Sequence, residues 1–535
     1  MSPGPVVLAA AGAAAAVPAG LRWLRVAQRE HYLVGSVTRF SRRWWLSSGP
    51  LNAGAGLLAV AATIAGLASW WIVLVAAVAI AVAPLRLSPR GRTSPLRWTR
   101  RLATLATTWA VLQCGALAAS WALGQATSGP GALLAGAAMV ATPLLVELAV
   151  VATAPLERRL AQRWVDRAVA RLERLGPPTV IGITGSYGKT TTKGYVAHLL
   201  AGRWTTVASP ASFNNAMGLA RTVNEHLPAG TEVLVAEMGA FGPGEIDRLC
   251  SWMKPRVGVI TALGPVHLER FGSEERIARA KGEILGRSEV GVCNVDHPRL
   301  RELADATAQA GKRIWRCSSL RCGPGVSVAL LPAGQGWELR VEPPPGAPCG
   351  DQSRRAALGA LRGAATNVAC AVAVALEMDV PWELVLRGLA DLPGASHRLS
   401  SELSAAGIAV LDDTYNSNPA GAVMALEALH AAGAPEGRKV LVTPGMVELG
   451  NLQAQENAAF ARRAAAVTSD VVVVGSTNRR ALLAGLAAAD GNGHAGRGVN
   501  VVTAAERGEA VSWVRANLAA GDAVLYENDL PDHFP

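Results

Sequence analysis

The stretch TGSYGKTTT at 184–192 has the residue types and spacing to hold the phosphates of a nucleotide. Backbone amides from Gly185 to Gly188 can ring phosphate oxygens at the start of a helix, with Thr184 and Ser186 in the same loop. Lys189 can reach the β and γ oxygens, and the hydroxyl of Thr190, followed by Thr191, can ligate magnesium. Ile183 stands where the general nucleotide loop has its first glycine.

Such a loop needs a strand before it and a helix after it. TVIGI is short and β-branched, follows the break at Gly176, Pro177 and Pro178, and gives way to a helix expected to begin near Lys189. VLVAE, ending on Glu237, and VGVITAL, leading to His267, read as further strands of the same sheet. Beyond Pro393 and Gly394, IAVLDD, KVLVTPG, VVVVGS, NVVTA and AVLYEN alternate with helical stretches as a second, Rossmann-like unit. That unit lacks a GxGxxG turn and is not expected to hold a dinucleotide by itself.

At 535 residues the chain exceeds one domain, and its first third differs from the rest. Five nearly uncharged apolar stretches, at about 5–20, 51–68, 70–85, 102–125 and 131–155, predict about five transmembrane helices. The run 51–85 would measure roughly 52 Å as one helix, against a hydrocarbon core of about 30 Å. Arginines flank it on both sides, so it is expected to cross twice as a hairpin, which places everything after residue 156 in the cytoplasm. A cleaved signal peptide is the rival reading of the first stretch. Glu147, inside the last, is either functional or a plain carboxyl, protonated and bonded to a neighbouring helix or near enough the interface to find water. Leu160, Trp164, Ala168 and Leu172 then share one face of an amphipathic linker.

The net charge of +11 would suit a nucleic-acid binder, but residues 1–101 hold twelve arginines and a single acid, Glu30, and the remainder is neutral. The excess belongs to the loops of a multi-pass protein, and no nucleic acid is expected as a partner. Seven cysteines without a CxxC pair suit a reducing compartment; Cys317, Cys322 and Cys349 read as free thiols in preference to a zinc site.

Read as TGSxGKTTT, the phosphate loop resembles the ATP loop of the Mur ligases of bacterial cell-wall synthesis. SFNNAMGLARTV, VLVAEMGAFGPGEI, VGVITALGPVHLERFGSEERIARAKGEI and DDTYNSNPAGAVMALEAL resemble that family in order and spacing over about 178–480, nearest to its D-alanyl-D-alanine-adding branch. The fold expected is therefore an α-helical membrane domain over 1–155 and an amphipathic linker over 156–178, followed by two α/β units. These are a P-loop ATPase-like central domain over 179–394 and a Rossmann-like C-terminal domain over 395–535.

The resemblance implies an enzyme that phosphorylates a carboxylate with ATP and lets an amine displace phosphate from the acyl phosphate. It implies Glu237 as a magnesium ligand beside Thr190, His267 as a ligand of a second magnesium, and a carbamylated Lys281 sharing that ion. Asn214 and Asn215 match a substrate-side loop and Asn367 an adenine contact. On domain closure Arg398 would reach the γ-phosphate and Asp413 the ribose or the magnesium shell. Asn416 and Asn418 would shape the hinge-proximal loop on the substrate side, a plain Asx turn being the open alternative. Lys189, His267, Lys281 and Arg398 are the catalytic candidates, and ATP with two magnesium ions the expected cofactors.

Helices stand where the family has its uridine-nucleotide-binding domain, Gly445 replaces an aspartate in TPGMVELG, LYENDLPDHFP replaces a lysine-containing turn, and Thr366 replaces a histidine. The expected partners are accordingly an amino acid or dipeptide amine and a carboxylate-bearing precursor, lipid-linked at the bilayer or soluble. Two alternatives stand beside this: a membrane scaffold or transporter-like module with an inactive ligase domain, and a ligase for a γ-linked peptide polymer. The presence of Lys189, Thr190, Glu237, His267 and Lys281 weighs against the first, and DDTYNSNP against the second.

Overall fold

The computed structural model describes residues 4–47, 49–90, 95–359, 361, 363–393, 400–414, 417–490, 498–530 and 533–534. The first third is helical: α1 (Gly4–Arg29), α2 (Ser36–Ser47), α3 (Pro50–Ala65), α4 (Val73–Val82), α5 (Arg100–Ala126), α6 (Ser128–Val140) and α7 (Thr142–Leu175). Two of them, α1 and α5, are long and apolar enough to cross a membrane by length and composition. The run 51–85 does fold back on itself as α3 and α4. At roughly 24 and 15 Å, however, each is shorter than a hydrocarbon core. Arg22 holds this hairpin, its guanidinium donating to the carbonyls of Ile80 (3.2 Å) and Ala83 (3.0 Å), which end α4 without partners of their own.

The last expected span is broken. α6 and α7 meet at a 66° bend, and α7 then runs unbroken through Pro155 to Leu175. The expected linker is therefore the second half of α7. Val165, Ala168 and Leu172 on that half are buried against Leu219 and Val223 of the following domain, so the helix joins the two units rigidly. Glu147 accepts from the amides of Gly35 (2.6 Å) and Thr38 (3.1 Å), satisfying the open N–H groups at the start of α2. Of the two readings of Glu147, this is the bond to a neighbouring helix.

The central domain is a nine-stranded sheet of β1 (Thr179–Thr184), β2 (Thr206–Ala208), β3 (Val233–Glu237), β4 (Val257–Ile260), β5 (Val290–Asn294), β6 (Arg313–Ser318), β7 (Val328–Ala333), β8 (Gly336–Val341) and β9 (Arg354–Leu358). Its order is β2-β3-β1-β4-β5-β6-β7-β8-β9, parallel through β7 and antiparallel from there. β1 lies between β3 and β4, where the chain crosses from one side of the sheet to the other, and the loop after β1 opens into that crevice. The fully apolar stretch of the helix Ala365–Glu377 is buried against α8 (Lys189–Ala201), and its last residue, Glu377, accepts from Trp315 Nε1 at 2.9 Å.

The C-terminal sheet comprises β10 (Ser400–Leu403), β11 (Ala409–Asp413), β12 (Lys439–Thr443), β13 (Asp470–Val474), β14 (Asn500–Ala504) and β15 (Ala523–Glu527). Its order is β10-β11-β15-β12-β13-β14, with only the edge strand β10 antiparallel.

All three units meet at Glu30, just past α1, which is 4 % exposed. Its carboxylate accepts from His533 Nε2 (3.0 Å) near the C-terminus, from Arg270 (3.2 Å) of the central domain and from Arg39 (3.3 Å) of α2. Burial alone would raise the Glu30 carboxyl; the His533 hydrogen bond and the Arg270 guanidinium outweigh it and hold the group below the ordinary glutamate range. Alongside, Trp44 Nε1 donates to the His533 carbonyl (2.8 Å), and Phe534 meets Phe40 edge-on.

Glu30→Ala would leave Arg270 and His533, both largely buried, without their shared counter-charge, a loss on the order of 3–5 kcal/mol. We expect a lowered thermal midpoint for the detergent-solubilised protein and faster proteolytic release of the C-terminal domain. Glu30→Gln, which keeps the shape and part of the hydrogen bonding, should fall between the two.

Candidate active site

The phosphate loop is shaped by its glycines. Gly185 (φ 148°) and Gly188 (φ 76°) adopt backbone conformations that side chains disfavour. A Cβ at Gly185 would overlap the Thr261 hydroxyl, and one at Gly188 the Asn367 amide. The loop is pinned from the β4 side: Ser186 Oγ donates to the Gly264 carbonyl and accepts from its amide, both at 3.1 Å, and Thr261 donates to the carbonyls of Thr184 and Tyr187. α8 begins at Lys189 as expected, so its open amides face the loop. Lys189 Nζ donates to the Gly185 carbonyl at 2.8 Å, and Thr191 follows on the first turn, half-buried.

Beside the loop lies a compact oxygen cluster. Thr190 Oγ1 donates to one oxygen of Glu237 (2.8 Å) and Asn214 Nδ2 to the other (3.1 Å), with Glu237 almost fully buried at the end of β3. Lys193, one turn beyond Lys189, adds an ion pair at 3.3 Å. Hydroxyl and carboxylate are the hard donors magnesium prefers, and such a site leaves further positions for phosphate oxygens. The glycine cradle and this donor set therefore fit ATP with magnesium.

A small cavity of about 60 Å³ connects the other candidates, lined by Gly185, Ser186, Lys189, Asn214, His267 and Lys281. Burial, with Lys189 nearby, pushes the Lys281 amine down to about 7. His267 Nδ1 is held by the carboxylate of Glu448 from the C-terminal domain, which leaves Nε2 for the cavity. Burial would raise the Glu448 carboxyl, but His267 and Arg270 hold it down at about 2. Among the described residues no group of three His, Cys, Asp or Glu side chains could hold a metal. His267 with an ammonium at Lys281 does not fit a cation.

The remaining candidates are more dispersed. Asn215 caps the helix Ala216–Arg221, its side-chain oxygen accepting from Gly218 N at 2.9 Å. Asn367 sits against Gly188. Asp413 ends β11 directly opposite Glu527 on β15, in the C-terminal sheet and outside the small cavity. Arg398 and Asn416 lie outside the described residues. Asn418 caps the helix Pro419–Ala431, accepting from Gly421 N at 2.9 Å.

Lys193, Glu448 and Glu527 were not singled out in the sequence. Lys193 could have been found from its spacing of four from Lys189, and Glu448 and Glu527 only as acids close to strand ends.

Residues 183–320 match the Mur ligase middle domain, and residues 397–526 match the Mur ligase, glutamate ligase domain. The UDP-N-acetylmuramoyl-tripeptide--D-alanyl-D-alanine ligase of Mycobacterium leprae is 34 % identical over 386 residues, covering 67 % of this chain and 72 % of that protein. The crystal structure of MurF from Acinetobacter baumannii is similar with a TM-score of 0.57 at 26 % identity, covering 69 % of this chain and 77 % of that one. MurF ligase from Thermotoga maritima in complex with ADP shares the fold with a TM-score of 0.55 at 24 % identity, covering 69 % and 80 % respectively.

Glu527 gives a pH test of the C-terminal cleft. Burial, with Asp413 opposite, pushes its carboxyl up to about 7 although Ser417 and Thr443 donate to it. The folded protein therefore keeps a proton that the unfolded chain releases near 4.5, and stability falls as pH rises from there to about 7. Glu527→Gln should gain on the order of 3 kcal/mol over wild type between pH 5 and pH 8, read as the change in the difference between their thermal midpoints.

Proposed function

This chain belongs to the Mur ligase family of ATP-dependent carbon–nitrogen ligases, and we propose that it adds a D-alanyl-D-alanine dipeptide to a muramoyl tripeptide at a membrane, in peptidoglycan precursor synthesis. The observation that carries the reading is the single cavity onto which Lys189, Asn214, His267 and Lys281 open, beside the Thr190–Glu237 pair.

In this reading a tripeptide carboxylate oxygen attacks the γ-phosphorus of ATP, ADP leaves, and an acyl phosphate forms. The dipeptide amine then attacks the acyl carbon, phosphate leaves with the electrons of the broken C–O bond, and the nitrogen gives up a proton. Lys189 and the amides of Gly185–Gly188 neutralise and orient the phosphates, with Thr184, Ser186 and Thr191 completing the loop. Thr190 and Glu237 would hold a magnesium ion, which supplies positive charge across the phosphate oxygens. His267 Nε2 and a carbamylated Lys281 would hold a second. The depressed amine of Lys281 suits carbamylation, since above neutral pH it is largely unprotonated and free to attack carbon dioxide. Asn367, Arg398 and Asp413 are assigned to the nucleotide, and Asn214, Asn215 and Asn416 to the substrate side. Glu448, crossing from the C-terminal domain to His267, helps exclude water that would hydrolyse the acyl phosphate.

The helical unit is assigned to the cell membrane as a multi-pass domain over about 1–155, with α7 leading through 156–178 into cytoplasmic ligase domains over about 179–394 and 395–535. Of the 30 large apolar side chains exposed among the described residues, 23 lie on this unit, Leu51, Leu57, Val78 and Val111 among them. The Mur ligase matches, over 183–320 and 397–526, leave this unit uncovered, and a lipid-carried tripeptide is the substrate form a membrane-embedded ligase would meet.

The test is phosphate release from ATP by the detergent-purified chain with D-alanyl-D-alanine and the tripeptide, offered on a lipid diphosphate or on UDP. Release that needs both substrates and falls at least about 100-fold in Lys189→Ala is expected. Release from ATP that ignores the dipeptide, or survives in Lys189→Ala, overturns the proposal. Lys281→Ala should lose activity comparably and recover part of it with added acetate, whose carboxylate can stand in for the carbamate.

A further inference from the structure

A second cavity, of about 700 Å³, lies where the three units meet, a volume in the range of small-molecule sites. Phe241, Val266 and His267 line both this cavity and the small one that holds Lys189 and Lys281. The large cavity therefore adjoins the reacting groups across a shared wall.

The helical unit builds one wall. After α1 the chain turns through His31 (φ 55°) and Tyr32 (φ 58°), conformations that such residues seldom adopt. The turn brings the His31 ring over Phe241, with centroids 6.3 Å apart and planes 25° apart, while Phe241 meets His267 edge-on at 5.1 Å. Gln28 secures the neighbouring segment, donating to the Arg97 carbonyl (2.7 Å) and accepting from the Arg97 amide (3.0 Å). The Arg97 side chain is exposed on the cavity wall and has no ion-pair partner among the described residues.

One further nitrogen lining this cavity, on the central domain, is a buried and unpaired donor. Arg270 gives Nη2 to Glu30 and Glu448, but its Nη1 has no acceptor. An unsatisfied buried donor is costly, and Glu30 and Glu448 are already engaged through Nη2. What this wall lacks is an oxyanion.

We infer that this cavity seats the diphosphate-bearing carrier end of the acyl substrate, with Arg97 and Arg270 Nη1 as its ligands and His31 as the wall that sets its position. The inference rests on the muramoyl-peptide reading and names the part of the substrate that the helical unit recognises. A diphosphate here belongs either to a lipid carrier, at the end of α1, or to a nucleotide.

The experiment is equilibrium binding of fluorescent muramoyl tripeptide, carried on a polyprenyl diphosphate or on UDP, to the full chain in detergent, with ATP binding measured on the same samples. Arg97→Ala and His31→Ala should each weaken the preferred form about tenfold, Arg97→Lys should recover most of the loss, and ATP binding should stay within about twofold. Tighter binding of the polyprenyl form identifies a lipid carrier, and of the UDP form a nucleotide; either supports the site. Binding by both alanine variants equal to wild type overturns it, as does binding of neither form by a wild type that binds ATP. Substrate binding without phosphate release in the presence of dipeptide would count against the proposed reaction and leave the cavity assignment standing.

Discussion

A buried carboxylate with three partners from three parts of the chain constrains this molecule more than any other contact. Glu30 cannot stay ionised out of water unless Arg270, Arg39 and His533 all reach it, and they reach it only when the helical unit and both α/β domains are docked together. The Arg270 guanidinium extends the linkage, because it also bonds Glu448, which in turn holds His267. An unbroken path of hydrogen bonds thus runs from the end of α1 to a side chain on the wall of the reaction cavity.

The reacting groups themselves sit on rigid supports. The phosphate loop lies at the crevice beside β1, and Glu237 ends the adjacent β3, so parallel pairing alone places a carboxylate next to the loop. The C-terminal sheet repeats this arrangement, with Asp413 and Glu527 in register at neighbouring strand ends. Glu448 reaches from the C-terminal domain to His267 and Arg270 of the central one.

The helices are more than a tether. α7 carries its apolar face without interruption into the core of the central domain, and the residues after α1 form part of the large cavity's wall. A flexible anchor would leave the ligase free to rotate, whereas a continuous helix and a buried ion cluster fix its orientation relative to α1 and α5. Gln28, which clamps Arg97 through two backbone hydrogen bonds, shows the same rigidity on a smaller scale.

The sequence by itself determined the phosphate loop, its strand and helix, the strands ending at Glu237 and Asp413, and the apolar character of the first third. These features are written in local sequence: short β-branched apolar runs, glycines where side chains do not fit, and runs of uncharged residues. It also brought Lys189, Thr190, Asn214, Glu237, His267 and Lys281 forward as one constellation, through motif order. The tertiary structure alone decided the bend between α6 and α7, the capping role of Glu147, and the partners of Glu30 and His267. His267 and Glu448 are 181 residues apart, Glu30 and Arg270 240, and Glu30 and His533 503. No local pattern marks such pairs, because each side chain is an ordinary surface charge until packing removes its water and leaves the distant partner as its only counter-charge.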